Sequence, residues 1–150
     1  MIDIGSLAPD FTLSSDTGDV LTLSSLRGKK VILYFYPKDN TSGCTQQACA
    51  FRDALPEFSA LNGVVLGVSK DSLKSHASFR SKQNLNFPLL SDESVEVCEK
   101  YGVWVEKSMY GRKYMGIDRS TFLIDEKGII QKIWRKVKIT NHIPDVLKSL

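Results

Sequence analysis

The stretch from residue 31 to residue 53 constrains this chain most, because an apolar run there ends at a proline and a cysteine follows at the start of a helical pattern. Residues 31–36 (VILYFY) are too few to span a membrane and are rich in strand formers, which predicts a strand buried on both faces. Pro37 ends this strand, and residues 38–43 have the polar, glycine-containing composition of a loop. The chain is therefore expected to fold around one central strand.

A helix is predicted directly after this loop. Its buried face would carry the apolar residues that recur at spacings of three and four, which are Ala48, Phe51, Leu55 and Phe58. Cys44 then lies in the first turn, where unpartnered N–H groups and roughly half a positive charge favour a thiolate. A free cysteine with a pKa of about 8.5 is only about 3% thiolate at neutral pH, so this placement predicts a nucleophilic sulfur.

The length and composition favour one domain. A chain of 150 residues that is 42% hydrophobic can build one proper core but not two, so a single domain over residues 1–150 is expected. The 20 basic and 17 acidic residues give a net charge of +3, which is too mild and scattered to indicate a nucleic-acid partner. In the most basic segment, residues 132–138 (KIWRKVK), the charged residues alternate with apolar ones, and we interpret them as the solvent-exposed face of a half-buried strand.

The cysteine count and the absence of a long apolar run indicate the compartment. The sequence has neither an N-terminal targeting pattern nor a run of 18 apolar residues, so we expect a cytoplasmic protein without a membrane partner. Its three cysteines are an odd number, with no Cys-x-x-Cys pair and no His-rich cluster, which argues against a disulfide framework and a zinc site. A catalytic cysteine is the better interpretation.

The remaining segments predict a mixed sheet flanked by helices. Short strands are predicted at 11–13 and 20–23, a second buried strand at 64–68, and a hairpin at 121–124 and 129–134. Helices are predicted from Asp71 or Ser72 to about 83, at 94–101, and from Thr140 or Asn141 to the end. Residues 102–116 form a long polar and aromatic segment that could fold over the cysteine.

A resemblance to a known family extends over nearly the whole chain. Pro37, Thr41 and Cys44 match the Pro-x-x-x-Thr-x-x-Cys signature of peroxiredoxins. The longer FYPKDNTSGCTQQAC resembles the bacterioferritin comigratory protein branch, also called peroxiredoxin Q. Further matches are GSLAPDF at 5–11, FPLLSD at 87–92, MYG at 109–111 and RSTFLID at 119–125. Ser42 departs from the branch, which usually carries proline there. The resemblance implies a thioredoxin-like fold.

The resemblance implies a thiol-dependent peroxidase that reduces hydrogen peroxide and organic hydroperoxides and needs no cofactor, neither metal nor haem. Cys44 would be the peroxidatic cysteine, whose thiolate attacks one peroxide oxygen and becomes a sulfenic acid. Arg119, matching the family's late arginine beside a strand, would stabilise the thiolate and donate to the peroxide oxygens with its planar fork. The plainer alternatives are a buried structural cysteine and an exposed arginine at the start of a strand.

Three residues of the preceding loop complete the expected site. The Thr41 hydroxyl could bond the sulfur or the peroxide, or cap the helix, and these roles are compatible. Pro37 would fix the turn and shield the pocket from water. Gly43 and Cys44 would contribute backbone N–H groups.

By its match to this branch, Cys49 would be the resolving cysteine of an atypical 2-Cys peroxidase. In a regular helix a spacing of five leaves the two Cα atoms more than about 8 Å apart, whereas a disulfide needs them within about 7 Å. The first turns of the helix would then have to unwind for Cys44 and Cys49 to join. Thioredoxin or a similar dithiol protein would reduce the disulfide, and the branch implies a monomer. The alternative for Cys49 is packing.

The third cysteine and the two histidines are not expected to take part in the reaction. Cys98 has core spacing with Val95 and Tyr101 and is interpreted as inert packing, while His76 and His142 are expected at the surface or in caps. A thiol-disulfide oxidoreductase usually needs the missing Cys-x-x-Cys. A peroxide sensor or chaperone-like redox protein using the same cysteine is the alternative function, and turnover with a recycling reductant would distinguish it.

Overall fold

The apolar run after residue 30 forms the central strand of the main sheet. The computed structural model describes residues 2–150. The strands are β1 Thr12–Ser15, β2 Val20–Thr22, β3 Lys30–Phe35, β4 Gly63–Ser69, β5 Leu89–Ser91, β6 Trp104–Met109, β7 Arg112–Ile117, β8 Ser120–Ile124 and β9 Ile130–Trp134. The helices are α1 Ser42–Ala60, α2 Leu73–Gln83, α3 Glu96–Lys100 and α4 His142–Ser149, and a 3-10 turn covers Leu23–Leu26.

Seven of the strands form one mixed sheet. Their order is β2-β1-β5-β4-β3-β8-β9, with β3, β4 and β5 parallel to one another and the other neighbouring pairs antiparallel. Because side chains alternate along a strand, β3 turns Ile32 and Tyr34 toward one apolar cluster and Leu33 and Phe35 toward another. The first cluster lies under α1 and α4, and the second contains residues of α3. This burial on both faces explains the continuous apolar run.

Most of the predicted elements are confirmed. The central strand, the helix that begins near Cys44, the second buried strand and the late hairpin all form. The cap of α2 is Ser72, whose side chain accepts from the Ser75 amide. On α1, Ala48, Phe51 and Phe58 are fully buried as predicted, while Leu55 is only half-buried and Ala54 takes a core position.

The segment after residue 102 has more structure than its sequence indicated. Its strands β6 and β7 pair in register from Trp104 with Ile117 to Met109 with Arg112, forming a separate two-stranded sheet. Both turn residues, Tyr110 and Gly111, have positive φ, at 53° and 78°, which is the backbone of a tight hairpin turn. A glycine accepts that conformation without strain, so Gly111 permits the turn.

One further expectation is wrong, and another is confirmed only in part. His76 and His142 are buried rather than at the surface, because each has a hydrogen-bond partner distant in sequence, Asp39 and Thr121 respectively. The basic segment at 132–138 is a strand only as far as Trp134, and Lys136, with φ at 48°, leaves the sheet. Across residues 2–150, none of the helices combines the length and apolarity that a membrane crossing requires.

Candidate active site

The start of α1 places Cys44 as sequence reasoning predicted. Thr41 has the extended backbone of an N-cap, and its carbonyl accepts the helical bond from the Thr45 amide at 2.9 Å. Cys44 is the third residue of α1 and is only 2% exposed. The amides of Gly43 and Cys44 belong to the first turn, whose donors have no helical acceptor. The sulfur is therefore shielded from bulk water and lies at the positive end of a helix.

Arg119 reaches Cys44 from the neighbouring strand. It directly precedes β8, whose first residue, Ser120, pairs with Phe35 at the end of β3. Its Nη2 donates to Cys44 Sγ at 3.2 Å. A Cβ atom added at Gly43 would lie 3.3 Å from the same Nη2, so this glycine leaves room for the close approach. The register of the sheet thus brings the predicted cation to the predicted sulfur.

Gln47 is a site residue that sequence reasoning missed. It is fully buried one turn after Cys44, and its Oε1 accepts from Arg119 Nη1 at 2.6 Å. With one guanidinium nitrogen on Gln47 and the other on the sulfur, the orientation of Arg119 is fixed. Its position three residues after Cys44 was the available signal, because residues at that spacing share a helix face.

The Thr41 hydroxyl lies beside the site but does not contact the sulfur. It donates to the Lys38 carbonyl at 2.9 Å, makes no side-chain cap bond, and its residue is exposed. Pro37 is half-buried at the start of the same loop. In this state the hydroxyl holds the loop between strand and helix.

Asp39 ties this loop to the core through buried polar contacts. Its carboxylate accepts from the hydroxyls of Tyr36 at 2.6 Å and Ser75 at 2.8 Å, and it lies 2.7 Å from His76 Nδ1. The other ring nitrogen, Nε2, donates to the Leu90 carbonyl at 2.9 Å. Burial alone would lower the pKa of His76, but the hydrogen bond and charge of Asp39 outweigh it and raise that pKa above its ordinary value. The loop is thereby anchored.

The same cluster contains the side chains best grouped for a metal ion among residues 2–150. Asp39, Asp71 and His76 offer ligand atoms within 4.8 Å of one another. Asp71 already accepts from the Asp39 amide at 2.8 Å and the Ser69 hydroxyl at 2.7 Å. Asp71 Oδ2 and both carboxylate oxygens of Asp39 already accept hydrogen bonds from the protein. These hydrogen bonds explain the grouping as an anchor for the loop.

A lysine of the β6–β7 hairpin has a shifted pKa. Lys107 on β6 is half-buried, and its stem packs against Gly116, where an added Cβ would lie 3.2 Å from Lys107 Cδ. Burial lowers the pKa of Lys107, and the charge of Arg119 acts in the same direction, while Asp118 and Cys44 oppose it.

The three cysteines are all free and occupy different settings. Cys49, on the next turn of α1, is half-buried, and its thiol donates to Gln83 Oε1 at 3.5 Å. Cys98 is fully buried in the cluster that includes α3, where burial and then Asp92 raise the pKa of its thiol well above the ordinary value. Cys98 is thus a packing residue, as predicted.

This arrangement suits one kind of chemistry. A shielded sulfur next to an oriented guanidinium can attack an electrophilic atom while the cation stabilises the charge that moves to a leaving group. The AhpC/TSA family model matches residues 4–133. The chain belongs to this AhpC/TSA family. It is a peroxiredoxin, a thiol peroxidase with a thioredoxin-like fold.

Relatives of this peroxiredoxin cover almost its full length. A Coxiella burnetii protein named as a bcp peroxiredoxin is 56% identical over 149 residues, covering 99% of each chain. Peroxiredoxin Bcp of Bacillus subtilis is 48% identical, with 99% of this chain and 95% of the relative covered.

Solved structures agree with this peroxiredoxin fold. A crystal structure of a Xylella fastidiosa PrxQ cysteine-to-serine mutant has a TM-score of 0.93 at 41% identity, covering 99% of this chain and 94% of the other. The Xanthomonas campestris bacterioferritin comigratory protein, studied in trapped intermediate and ligand complexes for alkyl peroxide reduction, has a TM-score of 0.88 at 43% identity, covering 93% and 88%.

Proposed function

We propose that Cys44 is the peroxidatic cysteine and that Arg119 stabilises both its thiolate and the transition state. The observation that carries this proposal is the 3.2 Å contact between Arg119 Nη2 and Cys44 Sγ. The thiolate attacks one peroxide oxygen, and the O–O bond breaks as the S–O bond forms. The second oxygen leaves with the bonding electrons and, once protonated, becomes water or an alcohol. Cys44 is left as a sulfenic acid.

The remaining loop residues serve this step. The Arg119 fork and the amides of Gly43 and Cys44 are donors that lie ready before the charge moves, which is the condition for electrostatic stabilisation. The Thr41 hydroxyl turns from the Lys38 carbonyl toward the bound peroxide, and Pro37 shields the pocket from water.

We assign the second half of the reaction to Cys49. Its thiol attacks the Cys44 sulfenic sulfur, which forms an intramolecular disulfide and releases the sulfenic oxygen as water. The six-residue segment from 44 to 49 must leave the regular helix for this, because helical Cα atoms five residues apart are too far apart for a disulfide. Thioredoxin or a similar dithiol protein then restores both thiols by exchange.

The substrate range and the setting belong to the same proposal. Hydrogen peroxide and organic hydroperoxides are the substrates, and the alkyl peroxide reduction studied in the Xanthomonas relative supports the organic class. We further propose a monomer made of one domain over residues 1–150, which acts in the cytoplasm where dithiol reductants are available, without a nucleic-acid or membrane partner.

A stopped-flow titration with hydrogen peroxide and then thioredoxin tests the proposal on the wild type, Cys44→Ser and Cys49→Ser. The wild type turns over, Cys44→Ser does not react, and Cys49→Ser gives one oxidation without thioredoxin recycling. Equal turnover of the wild type and Cys49→Ser would contradict the resolving role of Cys49. Turnover by Cys44→Ser would contradict the whole assignment. If the wild type itself were oxidised but not recycled by thioredoxin, a peroxide sensor would be the better interpretation.

A further inference from the structure

Two contacts from Gln83 hold the part of α1 that contains Cys49. The Gln83 side-chain Oε1 accepts from the Cys49 thiol at 3.5 Å, and its backbone carbonyl accepts from Arg52 Nη1 at 2.6 Å. Gln83 ends α2, where carbonyl groups lack helical partners and the helix carries partial negative charge, so a guanidinium is well placed there. Arg52 also donates from Nε to Asp53 at 2.9 Å.

The hydrogen-bond ladder of α1 is interrupted just beyond Arg52. Pro56 lies inside the helix and has no N–H to donate to the carbonyl four residues earlier, which is that of Arg52. Asn86, in the connection between α2 and β5, supplies the missing donor, because its Nδ2 lies 3.1 Å from the Arg52 carbonyl oxygen. The helix segment with both α1 cysteines is therefore joined to the rest of α1 by one helical bond fewer than usual. A neighbouring connection replaces that bond.

We propose that Arg52, Gln83 and Asn86 form a latch that positions Cys49 and sets how readily the first turns of α1 open. The proposal rests on the proposed resolving role of Cys49. While the latch is closed, Cys49 stays helical and separate from Cys44. When the latch opens, the Cys49 thiol attacks the sulfenic sulfur, the S–S bond forms and water leaves. Pro56 makes the latch necessary, since an unbroken ladder would hold the helix without it.

The latch therefore governs the fate of the sulfenic acid. That group either forms the disulfide or reacts with a second peroxide to give a sulfinic acid. A looser latch favours the disulfide and a tighter one favours overoxidation. The attack on the first peroxide is unaffected, because the latch residues make no hydrogen bond to Cys44 or Arg119.

The test uses Asn86→Ala, Pro56→Ala and the double variant, with Gln131→Ala, an exposed amide on β9, as control. Hydrogen exchange of amides 42–52 in the reduced protein should be about twofold to tenfold faster in Asn86→Ala, as expected for one lost hydrogen bond. It should be slower in Pro56→Ala, where an N–H is restored. Adding Asn86→Ala to Pro56→Ala should change little, because the restored bond replaces the latch contact.

A second measurement follows the chemistry. Mass spectrometry after a peroxide dose should show less sulfinic Cys44 in Asn86→Ala and more in Pro56→Ala, with the rate of the first oxidation unchanged in both. The latch proposal would be contradicted if hydrogen exchange were equally fast in the wild type and Asn86→Ala. It would also be contradicted if Asn86→Ala had the same effect in the wild type and in Pro56→Ala. If Cys44 is never oxidised the proposed function fails, and hydrogen exchange still decides on the latch.

Discussion

Cys44 and Cys98 are both buried, and each is the third residue of its helix, yet their surroundings are opposite in charge. Cys44 faces Arg119, whose Nη2 donates to the sulfur. Cys98 lies next to the Asp92 carboxylate, which accepts from the Cys98 amide at 2.8 Å. Burial is the main cause of the raised pKa of Cys98, and Asp92 adds to it. Position in a helix is therefore not enough, since a buried thiol becomes a nucleophile only where a cation balances the thiolate.

The largest expected difference between the two cysteines is in peroxide turnover. Cys44→Ser should lower turnover at least about 1,000-fold, because the proposed nucleophile is removed. Cys98→Ser, the matched control, should keep turnover within about twofold, because its side chain does not contact the site. A coupled assay of peroxide consumption measures both. Similar losses in the two variants would contradict the different roles of Cys44 and Cys98.

Replacing Arg119 tests the cation itself. Arg119→Lys should lower the rate of Cys44 oxidation about 100-fold, because the N–H groups of lysine all leave one nitrogen and lack the planar fork whose two nitrogens reach Gln47 and the sulfur. Arg135→Lys is the control, since Arg135 donates to the carbonyl of Tyr101, which packs in the other core cluster from Cys44. The rate comes from single-turnover stopped-flow fluorescence. An Arg119→Lys rate close to that of the wild type would mean that charge alone is sufficient.

Removing the carboxylate beside Cys98 should affect stability rather than activity. Asp92 is 1% exposed and accepts from the amides of Val97 and Cys98 at the start of α3. Asp92→Ala should lower the free energy of unfolding by about 1–3 kcal/mol, as buried donors lose their acceptor. Asp92→Asn keeps one acceptor oxygen and should lose less. Urea unfolding measures both, and Cys98 should stay unreactive toward peroxide, since the substitution introduces no cation.

The smallest predicted effect is a pH dependence. Because the pKa of Cys98 is raised above 9.0 in the folded protein, the unfolded chain loses this proton first as pH rises. Stability should therefore be unaffected below pH 9 and fall above it, by up to about 1.4 kcal/mol per pH unit for this group. Urea unfolding of the wild type and Cys98→Ala at pH 8, 9 and 10 isolates the contribution. Parallel pH profiles would contradict it.

The sequence predicted the parts of the fold that depend on local patterns. The apolar run of β3, the helix start at Cys44 and the turn between β8 and β9 follow from burial, capping and turn chemistry over a few residues. The β6–β7 hairpin was missed because its exposed strands alternate weakly and its turn is Tyr110-Gly111 rather than Asn-Gly. A strand shows a clear alternation of apolar and polar residues only when one of its faces is buried, and neither face of β6 or β7 is fully buried.

The site was predictable where family signatures or helix spacing mark it, but its supporting contacts were not. The contact between Cys44 and Arg119 was expected from the resemblance, while the position of Gln47 in α1 was a signal left unused. The partners of the buried histidines lie 37 residues from His76 and 21 from His142. Such pairs depend on tertiary packing, which no local pattern encodes.

The sheet register that joins Cys44 to Arg119 also sets when the sulfur can meet its cation during synthesis. The two residues are 75 positions apart in sequence. At about 5–20 residues per second, Arg119 is made roughly 4–15 s after Cys44. Until β8 has emerged from the ribosome and paired with β3, the nascent chain carries the thiol without its cation. During that interval the sulfur lacks the contact that we propose makes it a nucleophile.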